Sequence, residues 1–225
     1  MKVGDDLSAT QDSEGVPLHG VNRFDKVVRH EIGHAVDAQI GFMDSYGSKT
    51  HFGGWEKYGS DWEQVLDIII AEHGLPEGVT TARAELENAM RAGTRSNKWS
   101  EFMRFILSEE LEDHPAVECI KAGLDGSPWY NADPGALVGG RRYVLSYKNN
   151  WTSFQASTHA QKVSKYQFRA PGEWFAEAYA AYYDPASNGD GELLKQVNPK
   201  AKTEFDTKVD TITPASTTEP KQGDE

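Results

Sequence analysis

The stretch Val27-Val28-Arg29-His30-Glu31-Ile32-Gly33-His34-Ala35-Val36-Asp37 combines a helical spacing of apolar residues with two histidines four positions apart. An α-helix has 3.6 residues per turn, so His30 and His34 return to one face, about 6 Å apart along the axis. Two imidazoles placed in this way can bind one metal ion. We expect Asn22 to cap the start of this helix and Gly41 to end it.

Glu31 completes the pattern His-Glu-x-x-His, which is a signature of zinc peptidases when it lies on a helix. A water bound to zinc has its pKa lowered to about 7 and needs a nearby carboxylate to accept its proton. Glu31 is therefore predicted to be a general base. Seven residues are expected to form the apolar surface of the helix: Phe24, Val27, Val28, Ile32, Ala35, Val36 and Ile40.

Catalytic zinc usually has three protein ligands and a water, so His30 and His34 require one more. An extended motif with glycine at position 37 and histidine at position 40 would supply it, but the chain has Asp37 and Ile40 there. That arrangement is excluded. The glycine-rich and aromatic stretch 42–58 predicts a loop near the metal, and it contains three candidate ligands: Asp44, His51 and Glu56.

A carboxylate from a second helix is the other candidate for the third ligand. Pro171 opens a strongly helical, alanine-rich segment that Asp184-Pro185 ends. Glu173 and Glu177 lie four residues apart in it and share one face. Their neighbours are apolar, and an unpaired carboxylate is costly to bury in such surroundings. One of the two glutamates can bind the metal while the other orients a histidine ring.

These residues resemble a known family. The segment His30 to Asp37, together with Tyr166 and the helix that carries Glu173, is similar to the catalytic domain of anthrax lethal factor and related bacterial toxin zinc peptidases, which are zincins of the gluzincin type. In that family a tyrosine precedes the ligand glutamate by seven residues, as Tyr166 precedes Glu173 here. The chain departs from the family in one respect. Glu173 follows His34 by 139 residues, far more than in lethal factor.

The resemblance implies one Zn²⁺ ion per chain and a role for each matching residue. The implied zinc ligands are three side chains: His30, His34 and Glu173. Glu31 would be the general base, and Tyr166 would donate a hydrogen bond to the developing oxyanion. Glu177 and Asp37 are expected to orient the metal-binding side chains without binding the metal themselves.

The charge of the chain disfavours nucleic acid as a partner. Its 23 lysines and arginines are outnumbered by 35 aspartates and glutamates, which gives a net charge of -12. Such a surface repels phosphate backbones. The sequence contains no apolar run of 18 residues, so we expect no membrane segment.

A single cysteine, Cys119, cannot form an intrachain disulfide and is predicted to be a small buried apolar side chain. The first residues lack the apolar core of a cleavable signal peptide. We therefore expect a protein made in a reducing cytoplasm. The resemblance to toxins adds the expectation of export as an effector or toxin by another route.

The middle of the chain predicts four helices. The first covers 60–73, with a capping box at Ser60 to Glu63 and a stop at Gly74. The second covers 81–92 and stops at Gly93. The last two cover 96–113 and 115–122. The third has an apolar stripe of six residues: Trp99, Phe102, Met103, Ile106, Leu107 and Leu111. Three isolated histidines are predicted to be surface or core residues and not ligands: His73, His114 and His159.

A β-hairpin is predicted from 141–147 and 151–154 around Lys148-Asn149-Asn150, and a further helix from Pro199 to about 209. The fold class is therefore α+β and mostly helical. It has an active-site helix, a second ligand helix, a small hairpin or sheet and a helical insertion at about 60–123. The resemblance adds a zincin-like core. We expect a flexible arm at 1–20, a single zinc metallopeptidase domain at 21–210 and a disordered tail at 211–225.

Two functions remain open at this point. The first is a zinc-dependent endopeptidase of a bacterial toxin or effector, acting on a protein or peptide substrate that adds a strand to the hairpin. The alternative is a zinc-stabilised binding module without turnover, which would dock a delivery apparatus or carrier protein. Glu31 and Tyr166 favour the enzyme, because a structural zinc site requires neither of them.

Overall fold

The computed structural model describes residues 23–125, 137–185 and 191–210. The predicted arm at 1–20, the tail at 211–225 and the expected cap Asn22 lie outside these residues. The described part is mostly helical with one small antiparallel sheet, so the predicted α+β class is confirmed. Its helices are α1 (Arg23–Ile40), α2 (Phe42–Tyr46), α3 (Trp62–His73), α4 (Ala82–Ser96), α5 (Trp99–Phe102), α6 (Glu109–Glu112), α7 (Pro115–Asp125), α8 (Pro171–Tyr182), α9 (Glu192–Val197) and α10 (Pro199–Lys208).

The sheet has three strands in the order β1-β3-β2: β1 (Glu56–Gly59), β2 (Arg141–Leu145) and β3 (Trp151–Gln155). β2 and β3 form the predicted hairpin, with Leu145 opposite Trp151. Asn149 in the connection has a φ of 57°, a conformation that asparagine tolerates better than most residues. β1 and α2 come from the stretch 42–58, where only a loop was predicted. That prediction was incomplete, because β1 is short and largely exposed and so lacks an alternating pattern.

The sheet separates two apolar cores. Successive side chains of a strand point to opposite faces. Accordingly, Tyr143 and Leu145 pack with Trp151 against the core formed by α3 to α7. Val144 and Phe154 pack in the other core, with α2, α8, α9 and α10. The helical segment at 62–125 therefore lies on the opposite face of the sheet from the α8 side.

The helix of the quoted stretch, α1, packs mainly against α8. Gly33 is buried at this contact, and a Cβ added to it would lie 2.9 Å from the Cα of Ala176. Because real Cβ atoms do not approach a backbone so closely, only glycine permits this spacing of the two helices. Gly41 ends α1 as predicted, with a φ of 61° and a hydrogen bond from its amide to Asp37 O of 2.8 Å.

The predicted apolar surface of α1 is buried only in part. Phe24, Val28 and Ile32 are 50%, 39% and 45% exposed. They lie on a face of α1 that turns away from Gly33, and the close contact with α8 is made by the opposite face. The sequence pattern identified the helix correctly but not the face that it buries.

Two predicted helix boundaries were wrong. α4 does not stop at Gly93 but continues to Ser96 and ends at Asn97, whose φ is 52°. Gly93 is instead a packing residue, because a Cβ there would lie 2.7 Å from Leu124 Cδ1. α3 is capped by the Asp61 carboxylate, which accepts a hydrogen bond from the Gln64 amide at 3.0 Å, and not by Ser60.

The single helix predicted at 96–113 is two short helices, α5 and α6, joined by a loop. Phe102 and Leu111 are buried, but Met103 and Ile106 are 59% and 96% exposed. The helical stripe therefore does not continue across the loop. The other predicted helices are confirmed as α7, α8 and α10. No helix in the described ranges is long and apolar enough to cross a membrane.

Replacing Gly33 by alanine should destabilise the protein, because the new methyl group meets the backbone of Ala176. Overpacking of this kind costs about 1 to 3 kcal/mol, and the better helix propensity of alanine returns about 1 kcal/mol. We expect a lower melting temperature. The matched control is Gly172→Ala on α8, whose Cβ would meet His34 only at 3.7 Å. A Gly33→Ala variant stabilised by the full gain of about 1 kcal/mol that alanine gives in an unobstructed helix would contradict the close contact.

Candidate metal centre

Three side chains converge where α1 meets α8. The His30 and His34 Nε2 atoms are 3.1 Å apart. Glu173 Oε2 lies 3.1 Å from His30 Nε2 and 3.3 Å from His34 Nε2. No other group of three or more histidine, cysteine or carboxylate ligand atoms in the described ranges lies this close together. The sequence prediction named the same three residues.

The spacing of these three atoms fits one tetrahedral metal ion. Bonds of about 2.0–2.1 Å to zinc place tetrahedral ligand atoms about 3.3–3.4 Å apart. Glu173 Oε2 is buried, yet it accepts no well-directed hydrogen bond within the part of the chain that the structure describes. Lone pairs that converge in this way repel one another unless they share a cation. The donor set of two imidazoles and one carboxylate suits zinc.

Glu177, one turn after Glu173 on α8, holds the ring of His30 from the other side. Its Oε1 lies 2.8 Å from His30 Nδ1, and its Oε2 lies 3.4 Å from Lys26 Nζ. A carboxylate this close to Nδ1 favours a proton there, which leaves Nε2 free for a metal ion. Glu177 thus occupies the supporting position that the sequence suggested for it.

The charges of the centre shift the pKa values of its members. Burial opposes the charge on His30, but Glu173 and Glu177 outweigh it and raise the pKa of His30 to about 9. Burial likewise opposes ionisation of the two glutamates, but His30 and His34 lower the pKa of Glu173 to about 2. His30 and Lys26 lower the pKa of Glu177 to about 2 in the same way. Without metal, a proton on His30 takes the place of the ion.

Tyr166 lies in a 3-10 segment, Tyr166–Phe168, just before α8. Its hydroxyl donates to Glu173 Oε1 at 3.3 Å, and its ring centroid is 6.0 Å from that of His30. Burial and the nearby Tyr147 and Glu173 raise the pKa of Tyr166, so the phenol keeps its proton and can donate it in a hydrogen bond. Tyr166 thus lies beside His30 and Glu173, next to the ligands that the resemblance implied.

Glu31 and Asp37, the remaining predicted site residues, are both on α1. Glu31 follows His30 directly, and its side chain is exposed. Asp37 Oδ1 accepts a hydrogen bond from the Met43 amide at 2.8 Å, which ties the end of α1 to α2. Burial raises the pKa of Asp37.

The three rival ligands have other partners. Asp44 forms an ion pair with Lys57. His51 Nε2 is 2.7 Å from Glu204 Oε1. Glu56 accepts a hydrogen bond from the Tyr58 hydroxyl at 2.7 Å. None of them belongs to the cluster of converging ligand atoms.

The isolated histidines and the cysteine also lie apart from that cluster. His159 is buried beside Phe168, with ring centroids 5.0 Å apart. Cys119 is buried with its Sγ 3.3 Å from His73 Nε2, and burial raises the pKa of its thiol to about 11. A thiol with that pKa stays protonated near neutral pH, in agreement with the predicted packing role.

A cleft of about 580 Å³ opens beside the candidate metal centre. His34 and Glu173 form one wall of it, and Lys57 of β1 and Tyr147 lie among its other lining residues. The cleft thus joins the converging ligands to the end of the sheet where β1 finishes and the hairpin turns. Its volume lies in the range typical of pockets that hold small ligands.

Sequence reasoning missed two residues next to Tyr166. The hydroxyl of Tyr147 is 2.9 Å from that of Tyr166, and the Arg169 guanidinium lies over the Tyr147 ring, 4.3 Å from its centroid. Tyr147 lies 19 residues before Tyr166, in the predicted hairpin, and no local motif links the two. Only the position of the hairpin end against the segment before α8 brings them together.

Comparison with known proteins gave no match to a family model, a curated protein or a solved structure.

Replacing Glu173 by alanine should abolish stoichiometric metal binding, because two histidines alone leave an incomplete site. We expect one zinc per chain in the wild type, measured by elemental analysis after dialysis, and a loss of affinity of about 10²-fold or more in Glu173→Ala, His30→Ala and His34→Ala. His51→Ala is the control, since His51 pairs with Glu204. Zinc retained in Glu173→Ala and lost in His51→Ala would overturn the ligand assignment.

Zinc affinity should keep rising with pH up to about 9, because zinc must displace the proton that His30 holds in the metal-free protein. Calorimetry at pH 8 in buffers of different ionisation enthalpy should detect about one proton released per zinc. Glu177→Gln removes one of the charges that raise the pKa of His30, so less proton release is expected. Affinity that levels off near pH 6.5 would contradict this result.

Without metal, the same pKa shifts affect the stability of the fold. His30 has a raised pKa, so its pairing stabilises the fold fully below about pH 6.5 and is lost as the pH rises through about 9. The two glutamates have lowered pKa values, so their contribution is present above about pH 4.5 and is lost as the pH falls towards 2. Both contributions are fully present only between about pH 4.5 and pH 6.5, so the metal-free protein should be most stable in that range.

Proposed function

We propose that this protein is a zinc-dependent endopeptidase with the zincin type of active site. The observation that carries the proposal is the convergence of His30 Nε2, His34 Nε2 and Glu173 Oε2 within 3.3 Å of one another, with the Tyr166 hydroxyl bonded to the same glutamate. A site that only stabilised the fold would gain nothing from an exposed Glu31 or from a phenol beside the ligands.

Each residue has one role in the proposed reaction. His30, His34 and Glu173 would hold the ion, and Glu177 would keep His30 in the tautomer that binds metal. A bound zinc ion would supply a water of lowered pKa and a positive charge that polarises the scissile carbonyl. Glu31 accepts the proton of the attacking water and passes it to the leaving amine. Tyr166 donates a hydrogen bond to the oxygen on which negative charge develops.

The cleft is the proposed substrate site. β1 and β2 are the two outer strands, each paired only with β3 among the described strands, and no residue of β2 lines the cleft. Lys57 and Gly59 of β1 line the cleft. We therefore propose that the substrate lies extended along β1, and not along the hairpin as the sequence suggested, with backbone hydrogen bonds that are indifferent to side chains.

The biological target proposed from the family resemblance is a protein of a host or competitor cell. The helices α3 to α7 pack on the far face of the sheet from α8 and supply no member of the ligand cluster. We propose that this layer contributes to recognition of the target or of a delivery apparatus, and not to the chemistry.

Glu31→Gln should keep zinc but lose nearly all turnover, because an amide cannot accept the proton of the water. Tyr166→Phe should lower kcat by about 10² to 10³ with little change in KM, since the hydroxyl acts mainly in the transition state. The measurement is mapping of new protein termini in a lysate treated with each variant, followed by kcat and KM on a peptide that spans a mapped cut.

His51→Ala is the control for these variants and should cut like the wild type. A wild type that holds zinc and cuts nothing would refute the endopeptidase and favour a zinc-stabilised binding module. Full activity in Tyr166→Phe would remove the tyrosine from the mechanism and leave the metal assignment intact.

A further inference from the structure

A second tyrosine stands next to the one in the proposed mechanism. Tyr147 follows β2, and its side chain is 56% exposed and lines the cleft. Its hydroxyl is 2.9 Å from that of Tyr166, a normal hydrogen-bond length for two phenols. Tyr166 in turn reaches Glu173 Oε1 at 3.3 Å. The two hydroxyls therefore form a chain that ends on a metal-ligand carboxylate.

The direction of this chain follows from the number of protons. A phenol has one proton to donate. When Tyr166 donates to Glu173, or to an oxyanion in the cleft, it can only accept from Tyr147. Tyr147 must then be the donor. A hydroxyl that accepts one hydrogen bond donates a stronger one, by about 10–30% in condensed-phase estimates.

Arg169 holds Tyr147 in place. Its guanidinium lies 4.3 Å from the centroid of the Tyr147 ring, and its Nη1 donates to Leu145 O at 2.7 Å. The residue is only 7% exposed, and its backbone amide donates to Tyr166 O at 2.9 Å. Arg169 thus connects the end of β2 to the segment of Tyr166. A cation over an aromatic face also draws electron density from the ring, which strengthens its hydroxyl as a donor.

We propose that Tyr147, held by Arg169, is a positioning residue that orients the Tyr166 hydroxyl towards the developing oxyanion. This inference rests on the proposed function and extends it to residues that neither motif contains. A tyrosine that only packed at the surface would not need its hydroxyl. The inference therefore concerns the Tyr147 oxygen and not the ring.

A double-mutant cycle tests the proposal on a peptide with a mapped cut. Tyr147→Phe should lower kcat about 5- to 10-fold with KM changed less than twofold, which is the size of one neutral hydrogen bond that acts in the transition state. In the Tyr166→Phe background the same substitution should change nothing further. Tyr143→Phe is the matched control, because it removes a phenol from a different pair of tyrosines, in which the Tyr58 and Tyr143 oxygens are 3.3 Å apart.

A binding measurement gives a second readout that needs no turnover. Cobalt-loaded protein is titrated with N-phosphoryl-leucinamide, whose tetrahedral phosphoryl oxygens stand in for the oxyanion, and the visible spectrum reports binding. Tyr147→Phe should weaken this probe about 5- to 10-fold, whereas acetohydroxamate, a planar metal chelator, should bind all variants alike.

The outcomes separate this inference from the proposed function. Full kcat and unchanged probe affinity in Tyr147→Phe, or additive losses in the double mutant, would overturn the role of Tyr147 and leave the peptidase standing. Weakened probe binding in Tyr147→Phe with a wild type that cuts no peptide would support the phenol chain and refute the peptidase. A wild type that neither binds the probe nor cuts would overturn both.

Discussion

The close approach of α1 and α8 at Gly33 and Ala176 is the constraint on which the site depends. A Cβ at Gly33 would be 2.9 Å from the Ala176 backbone, so the two helices are as near as their chains permit. That distance lets His30 and His34 on one helix reach Glu173 on the other at 3.1 and 3.3 Å. A larger residue in place of Gly33 would move the Glu173 carboxylate out of reach of the histidines. Gly33 thus affects the site although it contributes no side chain to it.

The charges at this contact make the site suited to a cation. His30 lies between two carboxylates, Glu173 at Nε2 and Glu177 at Nδ1, and Lys26 balances part of the negative charge from outside. Buried carboxylates and imidazole lone pairs at such distances are costly unless a cation lies between them. A proton on His30 supplies part of this positive charge, and a divalent ion shared with His34 would supply more. The electrostatics that hold the helices together would thus also favour a bound cation.

The sheet connects the candidate metal centre to the rest of the molecule. Its hairpin is buried between two helical layers, so the position of its turn is determined by packing on both faces. Tyr147 at the end of β2 is thereby placed against Tyr166, and Arg169 bonds across to Leu145 O at 2.7 Å. The same end of the sheet borders the cleft. One rigid element therefore orients the phenols and forms part of the wall where a substrate would lie.

The sequence by itself determined the local elements: the histidine helix and its end at Gly41, the helix of Glu173, the hairpin and the mostly helical class. These depend on periods of 3.6 and 2 residues and on glycine and proline signals, all of which act between near neighbours. Only the tertiary structure decided that α4 continues through Gly93, that α1 leaves Ile32 exposed, that β1 joins the sheet and that Tyr147 meets Tyr166. Each of these depends on which distant surfaces pack together, and a local pattern carries no information about its partner.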